Sequence, residues 1–236
     1  MTNKIIVLFL ALAPLLCKSQ NLQMHYDLGE DRKYITTTLE MFKPDTLGST
    51  FWFVDFDFNS PGSPLSMSAA YWEIAREFYI PGLRKNPMFD ELTVHFEYND
   101  GFTSFKIGED SLGAASYNSI FLTGFAHPLK IGSVVISTQW LLRLPRGMNP
   151  DFQFTLVWFQ PLFKEKLIFT GFADLYSQDK IIEPDQKDLI FLSEPQIWYM
   201  ILPKIGLGGE LEISKNFLYG PNKWRFLPTL GLKWEF

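Results

Sequence analysis

The sequence predicts an all-β fold, a transmembrane antiparallel β-barrel of about twelve up-and-down strands, and three observations predict it. The chain closes on an alternating run in which Trp224, Phe226, Pro228, Leu230, Leu232, Trp234 and Phe236 share one phase. Arg225, Leu227, Thr229, Gly231, Lys233 and Glu235 share the other. A strand turns successive side chains to opposite faces, so this segment shows lipid one face and water the other. Aromatic residues at both ends of the apolar stripe suit the two bilayer interfaces. The second observation is an N-terminal export segment. The third is composition: aromatic residues make up 17% of the chain, yet mean hydropathy is +0.00, the average of half-apolar strands.

The export segment is expected at 1–19, leaving a single barrel over 20–236. Lys4 supplies a positive start and Ile5 to Leu16 form an apolar stretch, too short to span a bilayer as a helix. Cys17-Lys18-Ser19 is a small-x-small cleavage site. Cleavage there removes the only cysteine, so the mature chain forms no disulfide. An alternative is a lipoprotein acylated at Cys17, although Leu16 stands where a small residue is expected. A soluble sandwich also ends on an alternating strand; the export segment favours the barrel. Cleavage moves the net charge from −5 to −7, because Lys4 and Lys18 leave and no acid does. The acidic balance, without a basic stripe, argues against nucleic acid as a partner.

Strands follow in order. Leu22, Met24, Tyr26 and Leu28 alternate with Gln23, His25 and Asp27. Ile35, Thr37, Leu39 and Met41 alternate with Tyr34, Thr36, Thr38 and Glu40. Thr50 to Phe58 and Ala70 to Glu77 continue the pattern, the latter despite its Ala and Glu content. Leu92 to Tyr98 is a clean case. Weaker segments follow at 117–126, 132–143, 152–160, 167–176, 189–201, 206–214 and 224–236. An even count places both termini in the periplasm. Gly206-Leu-Gly-Gly209 reads as the start of a strand, not a phosphate loop.

Periplasmic turns are expected at Lys43-Pro-Asp45, 81–87, His127-Pro-Leu-Lys130, Gln160-Pro-Leu-Phe-Lys164 and Leu202-Pro-Lys204, each with a proline and a lysine. The connection at 78–90 is longer than this pattern wants. Long polar extracellular loops are expected at 99–116 and 177–188. The lumen phase carries more acids than bases, which favours cations, and its aromatic faces favour flat or apolar-faced solutes. Asp55 and Asp57 point the same way on one strand, about 7 Å apart. They repel unless a cation or basic residue intervenes. No metal-ligating cluster, cofactor motif or nucleophile motif stands out.

Four stretches carry a family resemblance: Tyr34-Ile-Thr-Thr-Thr-Leu-Glu-Met-Phe-Lys43, Phe51-Trp-Phe-Val-Asp-Phe-Asp57, Ser63-Pro-Leu65 and Tyr71-Trp-Glu-Ile-Ala-Arg-Glu-Phe78. Together they resemble the N-terminal third of the nucleoside-specific outer-membrane channels (Tsx-like), with an acidic Glu-x-Phe second strand and a Trp/Phe/Asp-rich third. Glu77 separates Arg76 from Phe78, a departure from that family's fourth strand. Beyond residue 78 the likeness is strand order and the closing Phe. The chain is similar, too, to an uncharacterised family of small outer-membrane barrels related to those channels. The resemblance implies a monomeric barrel in the Gram-negative outer membrane that takes up nucleosides passively through successive weak sites. It also implies that outer-membrane lipid and the barrel-assembly machinery are partners. Phe236 and Trp234 form the assembly signal. On this basis the candidate solute-lining residues are Glu40, Phe53, Asp55, Asp57, Glu73 and Arg76, with Glu40 and Glu73 on matched motif positions. Arg76 falls in the lipid-facing phase, so it needs either a rim position or a bulge. The competing readings are a closed structural or adhesive barrel and a lipid-modifying barrel enzyme. The enzyme needs a Ser/His pair, and the chain holds only three histidines.

Overall fold

The computed structural model describes residues 20–30, 32–60, 67–107, 111–132, 134–180, 186–217 and 222–236. The export segment at 1–19 and the Ser63-Pro64-Leu65 loop lie outside the described residues. Fourteen strands appear: β1 Gln20–Asp27, β2 Ile35–Asp45, β3 Gly48–Phe58, β4 Met67–Tyr79, β5 Thr93–Ile107, β6 Ser111–Ser116 and β7 Ile120–Ile131. They continue with β8 Val134–Pro145, β9 Asp151–Leu162, β10 Leu167–Asp179, β11 Lys187–Ser193, β12 Gln196–Leu202, β13 Ile205–Lys215 and β14 Trp224–Glu235.

Two pairs of strands each make one stave of the wall, so twelve staves close an antiparallel barrel. β6 and β7 both pair with β5, at Phe102–Ile107 and Thr93–Asn99 respectively. Between them Tyr117–Ser119 oppose only Asp100–Gly101, an inserted residue that makes a bulge. β11 and β12 both pair with β10, and the register runs unchanged across Glu194-Pro195. The ladder is interrupted there because Pro195 has no N–H to donate. Closure is by β1 on β14, with Leu22 opposite Trp234 and Met24 opposite Leu232. The backbone N–H of Phe236 donates to the Gln20 carbonyl at 3.1 Å, so the two ends of the described chain meet at one rim.

Alternation sorts the side chains. On β1, Leu22, Met24 and Tyr26 are exposed on the outer face, whereas Asn21, Gln23, His25 and Asp27 are buried inside. The same outward phase exposes Ile74, Phe96, Phe125, Trp140, Phe152, Leu175, Tyr199, Leu230 and Trp234 around the wall. A soluble monomer rarely exposes a continuous apolar belt of this extent. In lipid the belt is solvated, and ring closure pairs the backbone groups that hydrocarbon cannot. No described helix is long and apolar enough to cross a membrane, which says nothing of a strand-built wall.

The connections differ in detail from the sequence expectation. The turn expected at Lys43-Pro-Asp45 lies two residues on, at Thr46–Leu47, and Lys43 and Pro44 belong to β2. His127–Lys130 belongs to β7, and its turn is centred on Gly132 with φ 62°. Gln160-Pro161-Leu162 closes β9, and the turn uses Phe163, Lys164 and Glu165, all at positive φ. Proline marks the strand ends before these turns, because a ladder's last residues tolerate a missing donor.

The expected loop 99–116 is a hairpin: β5 runs on to Ile107 and β6 returns from Ser111. The loop 177–188 shrinks likewise, because β10 reaches Asp179 and β11 starts at Lys187. The long 78–90 connection has a structural reason. β5 begins at Thr93, opposite Ala126, so β7 continues to Ile131 with one edge unpaired by β5. The connection, with a 3-10 turn at Pro81–Leu83, covers that edge. His127 Nε2 meets the Met88 carbonyl at 3.1 Å, and Lys130 pairs with Glu91.

Candidate functional site

The lumen wall is the candidate site, and strand phase places most of the expected residues on it. β2 and β3 pair so that Thr38 faces Asp55 and Thr36 faces Asp57. The threonine hydroxyls donate to these carboxylates at 2.5 Å and 2.6 Å. The repulsion expected within the Asp55/Asp57 pair is thus met by a hydrogen bond to each acid rather than by a base between them. Glu40 accepts from Asn21 Nδ2 at 2.8 Å. Glu73 on β4 accepts from the Tyr71 hydroxyl at 2.6 Å and from Asn99 Nδ2 at 3.1 Å.

Phe53 sits in an aromatic row. Ring centroids run Phe51 to Phe53 at 5.9 Å, Phe53 to Tyr71 at 5.9 Å and Tyr71 to Tyr117 at 6.2 Å. The row climbs diagonally from β3 across β4 to the bulge between β6 and β7. Gly101 makes room for its upper end, since a Cβ there would stand 2.6 Å from Tyr117 Cδ2 and 2.5 Å from the Ala70 carbonyl. Tyr71 shares the inward phase with Glu73, and that period was readable. Tyr117 owes its place to the bulge, which no sequence signal marked.

Arg76 does not line the lumen. It pairs in register with Thr50 and Phe96, both on the outward phase, and no bulge interrupts β4 there. Its guanidinium donates to Asp45 Oδ2 at 2.7 Å and Oδ1 at 2.9 Å, and to Thr50 Oγ1 at 2.8 Å. It also lies 4.8 Å from the Phe78 ring centroid. The side chain therefore snorkels at the rim that carries the β2–β3 turn, as a cation on a lipid-facing strand must. Asp45, at the turn beyond the spanning part, is held down to about 2 by the Arg76 hydrogen bond and then by the Leu47 backbone N–H.

The remaining lumen is divided. On one side Trp198 is fully buried, its indole N–H donating to Gln196 Oε1 at 2.9 Å. His25 meets its ring edge-on at 5.4 Å, and Lys233 Nζ lies 5.9 Å from its centroid. Gly231 allows this packing: a Cβ there would be 3.1 Å from both Trp198 Cη2 and His25 Nδ1. Gln23 on β1 is buried as well, and so, across the ring, are Leu122 on β7 and Leu141 on β8. Around the bore Asp55, Glu73, Asp174, Glu194 and Glu210 keep partial solvent contact deep in the barrel, as does Phe53.

At the opposite mouth from Arg76, Arg32 reaches in from the β1–β2 loop. It bridges Asp27 at 3.2 Å and Glu212 at 2.7 Å. His25 bonds Gln23 and Thr229, and His95 bonds Glu77 and Glu97. Among the described residues no three His, Cys, Asp or Glu side chains are placed to hold a metal ion.

A closed antiparallel wall with an apolar exterior and a charged, partly solvated interior defines an outer-membrane β-barrel. The chain belongs to the family described as a domain of unknown function, DUF5020, whose model matches residues 19–236. No curated protein matches it in sequence. Solved structures similar to it include the KdgM porin, at 9% identity and TM-score 0.47, covering 92% of this chain and 99% of that one. The KdgM porin in complex with disordered oligogalacturonate gives 8% and 0.47 with the same coverage. A mutant porin of Rh. blastica gives 8% and 0.36, covering 92% of this chain and 99% of that one.

Proposed function

We propose that the barrel is a passive outer-membrane channel for small solutes and that nucleosides are among them. The observation that supports this best is the aromatic row Phe51–Phe53–Tyr71–Tyr117 on the solvated side of the lumen, beside hydrogen-bonded carboxylates. Stacking on aromatic rings is tolerant of base identity and weak enough to release, and the carboxylates accept from sugar hydroxyls and amino groups. The Tsx-like resemblance of residues 34–78 leads to the same solute. In this reading the protein is a non-catalytic monomer, released by cleavage after Ser19, and Trp234 and Phe236 are read by the assembly machinery. Their rings lie 5.1 Å apart at the closing strand.

Flux through purified protein in liposomes tests it, with nucleosides, free bases and sugars of similar size alongside the Asp55→Asn/Asp57→Asn double variant. Nucleoside flux above that of equal-sized sugars, altered by the variant, is the expected result. Equal flux for all solutes removes the nucleoside reading, and no flux for any removes the channel. The second reading, a closed structural barrel, draws on the fully buried Trp198 and predicts no flux.

A further inference from the structure

The carboxylates at mid-lumen are in excess of their partners. Asp55, Glu73, Asp174, Glu194 and Glu210 come from β3, β4, the β10 wall, the β11–β12 junction and β13. None of the five makes an ion pair among the described residues: Arg32 is engaged by Asp27 and Glu212 and His95 by Glu77 and Glu97, while Arg143 lies over the Tyr176 ring and Lys233 over that of Trp198. Repulsion reaches across them, Glu73 with Asp55 and Asp174, Glu194 with Asp55, Glu73 and Glu210, and it is offset in part by Arg143 at Asp174 and by Arg32 at Glu210. In a twelve-stave ring the stave holding Glu194 stands opposite β4, so the cluster crosses the bore rather than following one wall. Glu194 has no hydrogen-bond partner for its carboxylate among the described residues.

A second observation is independent of those charges. Asn99 is only 6% exposed, and its Nδ2 donates to both Glu73 and Glu97, at 3.1 Å and 2.9 Å. Its Oδ1 has no partner. Turning the amide over would set that oxygen against two carboxylates, so the orphan acceptor is fixed in place. A buried acceptor without a donor, beside an acid, is costly unless a donor or a cation completes it.

We infer that the mid-lumen is a binding site for a small organic ammonium ion, framed by Glu73, Glu194, Glu210 and the Asn99 carbonyl oxygen. The inference rests on the solvated lumen of the channel reading and adds charge selectivity to it. The oxygens are not gathered tightly enough for a stripped metal ion. An ammonium group accepts spread-out oxygen partners, and the rings of Phe53 and Tyr71 supply aromatic faces to its apolar parts. Charge of one sign in a low-dielectric bore concentrates counter-ions by about tenfold or more.

Two measurements decide it, on wild type, Glu194→Gln and Glu73→Gln. In planar bilayers under a potassium chloride gradient, the reversal potential is expected to move toward potassium, with a cation preference of about tenfold, reduced toward none in both variants. Tetramethylammonium is expected to lower that conductance and to raise the thermal midpoint above an equal concentration of sodium, an effect lost in the variants. Conductance without cation preference, or variants that behave as wild type, overturns the inference. If the barrel conducts nothing, the channel reading falls and the thermal shift alone decides: a tetramethylammonium-specific rise lost in Glu194→Gln upholds the site, and no rise overturns it. Both glutamines keep side-chain size, and variant folding is read from β-sheet circular dichroism.

Discussion

The lumen side built by β3 and β4 and the side built by β12, β13, β14 and β1 obey the same alternation but do opposite things with it. On β3 and β4 the inward phase carries Phe53, Asp55, Tyr71 and Glu73, all in partial contact with lumen water. On the other side it carries Trp198, Gly206, Gly208, Gly231 and His25, and the indole is fully buried. Bulk next to bulk leaves rings and acids projecting into the bore. Bulk next to glycine lets one ring collapse onto the wall. The difference teaches that the open cross-section of a small barrel is set by the pairing of large and small inward residues on adjacent staves, not by strand number alone.

The largest expected effect comes from breaking the packed side. Trp198→Ala removes a fully buried ring and should cost about 3–5 kcal/mol. It should also widen the bore, read as lower thermal stability together with higher conductance. A stable variant of unchanged conductance would mean that the ring neither packs nor restricts. Gly231→Val tests the same contact from below. A Cβ already meets Trp198 and His25 at 3.1 Å, so overpacking of about 1–3 kcal/mol is expected.

On the solvated side the same kind of truncation should spare the fold and change transport. Tyr71→Ala deletes one stacking face, worth about 1–3 kcal/mol per base. Competition by nucleosides should weaken relative to sugars, while circular dichroism stays unchanged. Equal loss for both solute classes would mean that the row acts only as a steric wall.

Arg76→Ala should have the smallest effect. Its exposed pair with Asp45 is outside the lumen, so flux should be unchanged and stability should fall only slightly. The lowered Asp45 group contributes its stabilisation above the ordinary carboxylate range, and that contribution is lost as pH falls toward about 2. Wild type and variant should therefore converge in acid-denaturation curves at the low-pH end. A change in solute selectivity in Arg76→Ala would contradict its outward placement.

The alternation of polar and apolar residues by itself determined the staves, the closed antiparallel class and the inward phase of Glu40, Phe53, Asp55, Asp57 and Glu73. The reason is that a strand's two-residue period is local and needs no neighbour to be read. It also placed Arg76 outward, in conflict with its selection as a lining residue, and the register settled that conflict in favour of the period. The turn expected at Leu202-Pro-Lys204 falls on Pro203 and Lys204, whereas those expected at 43–45, 127–130 and 160–164 lie a few residues on, because a proline there marks where a ladder weakens rather than where the chain reverses. The sequence could not say that 99–116 folds as a hairpin, or that 80–92 exists to cover the free edge of β7, since both follow from where β5 begins against its neighbours. Nor could it bring Glu194 opposite β4, set Tyr117 over Gly101 or bury Trp198 on Gly231. Those contacts join staves far apart in sequence, and only closure of the ring fixes which residues meet.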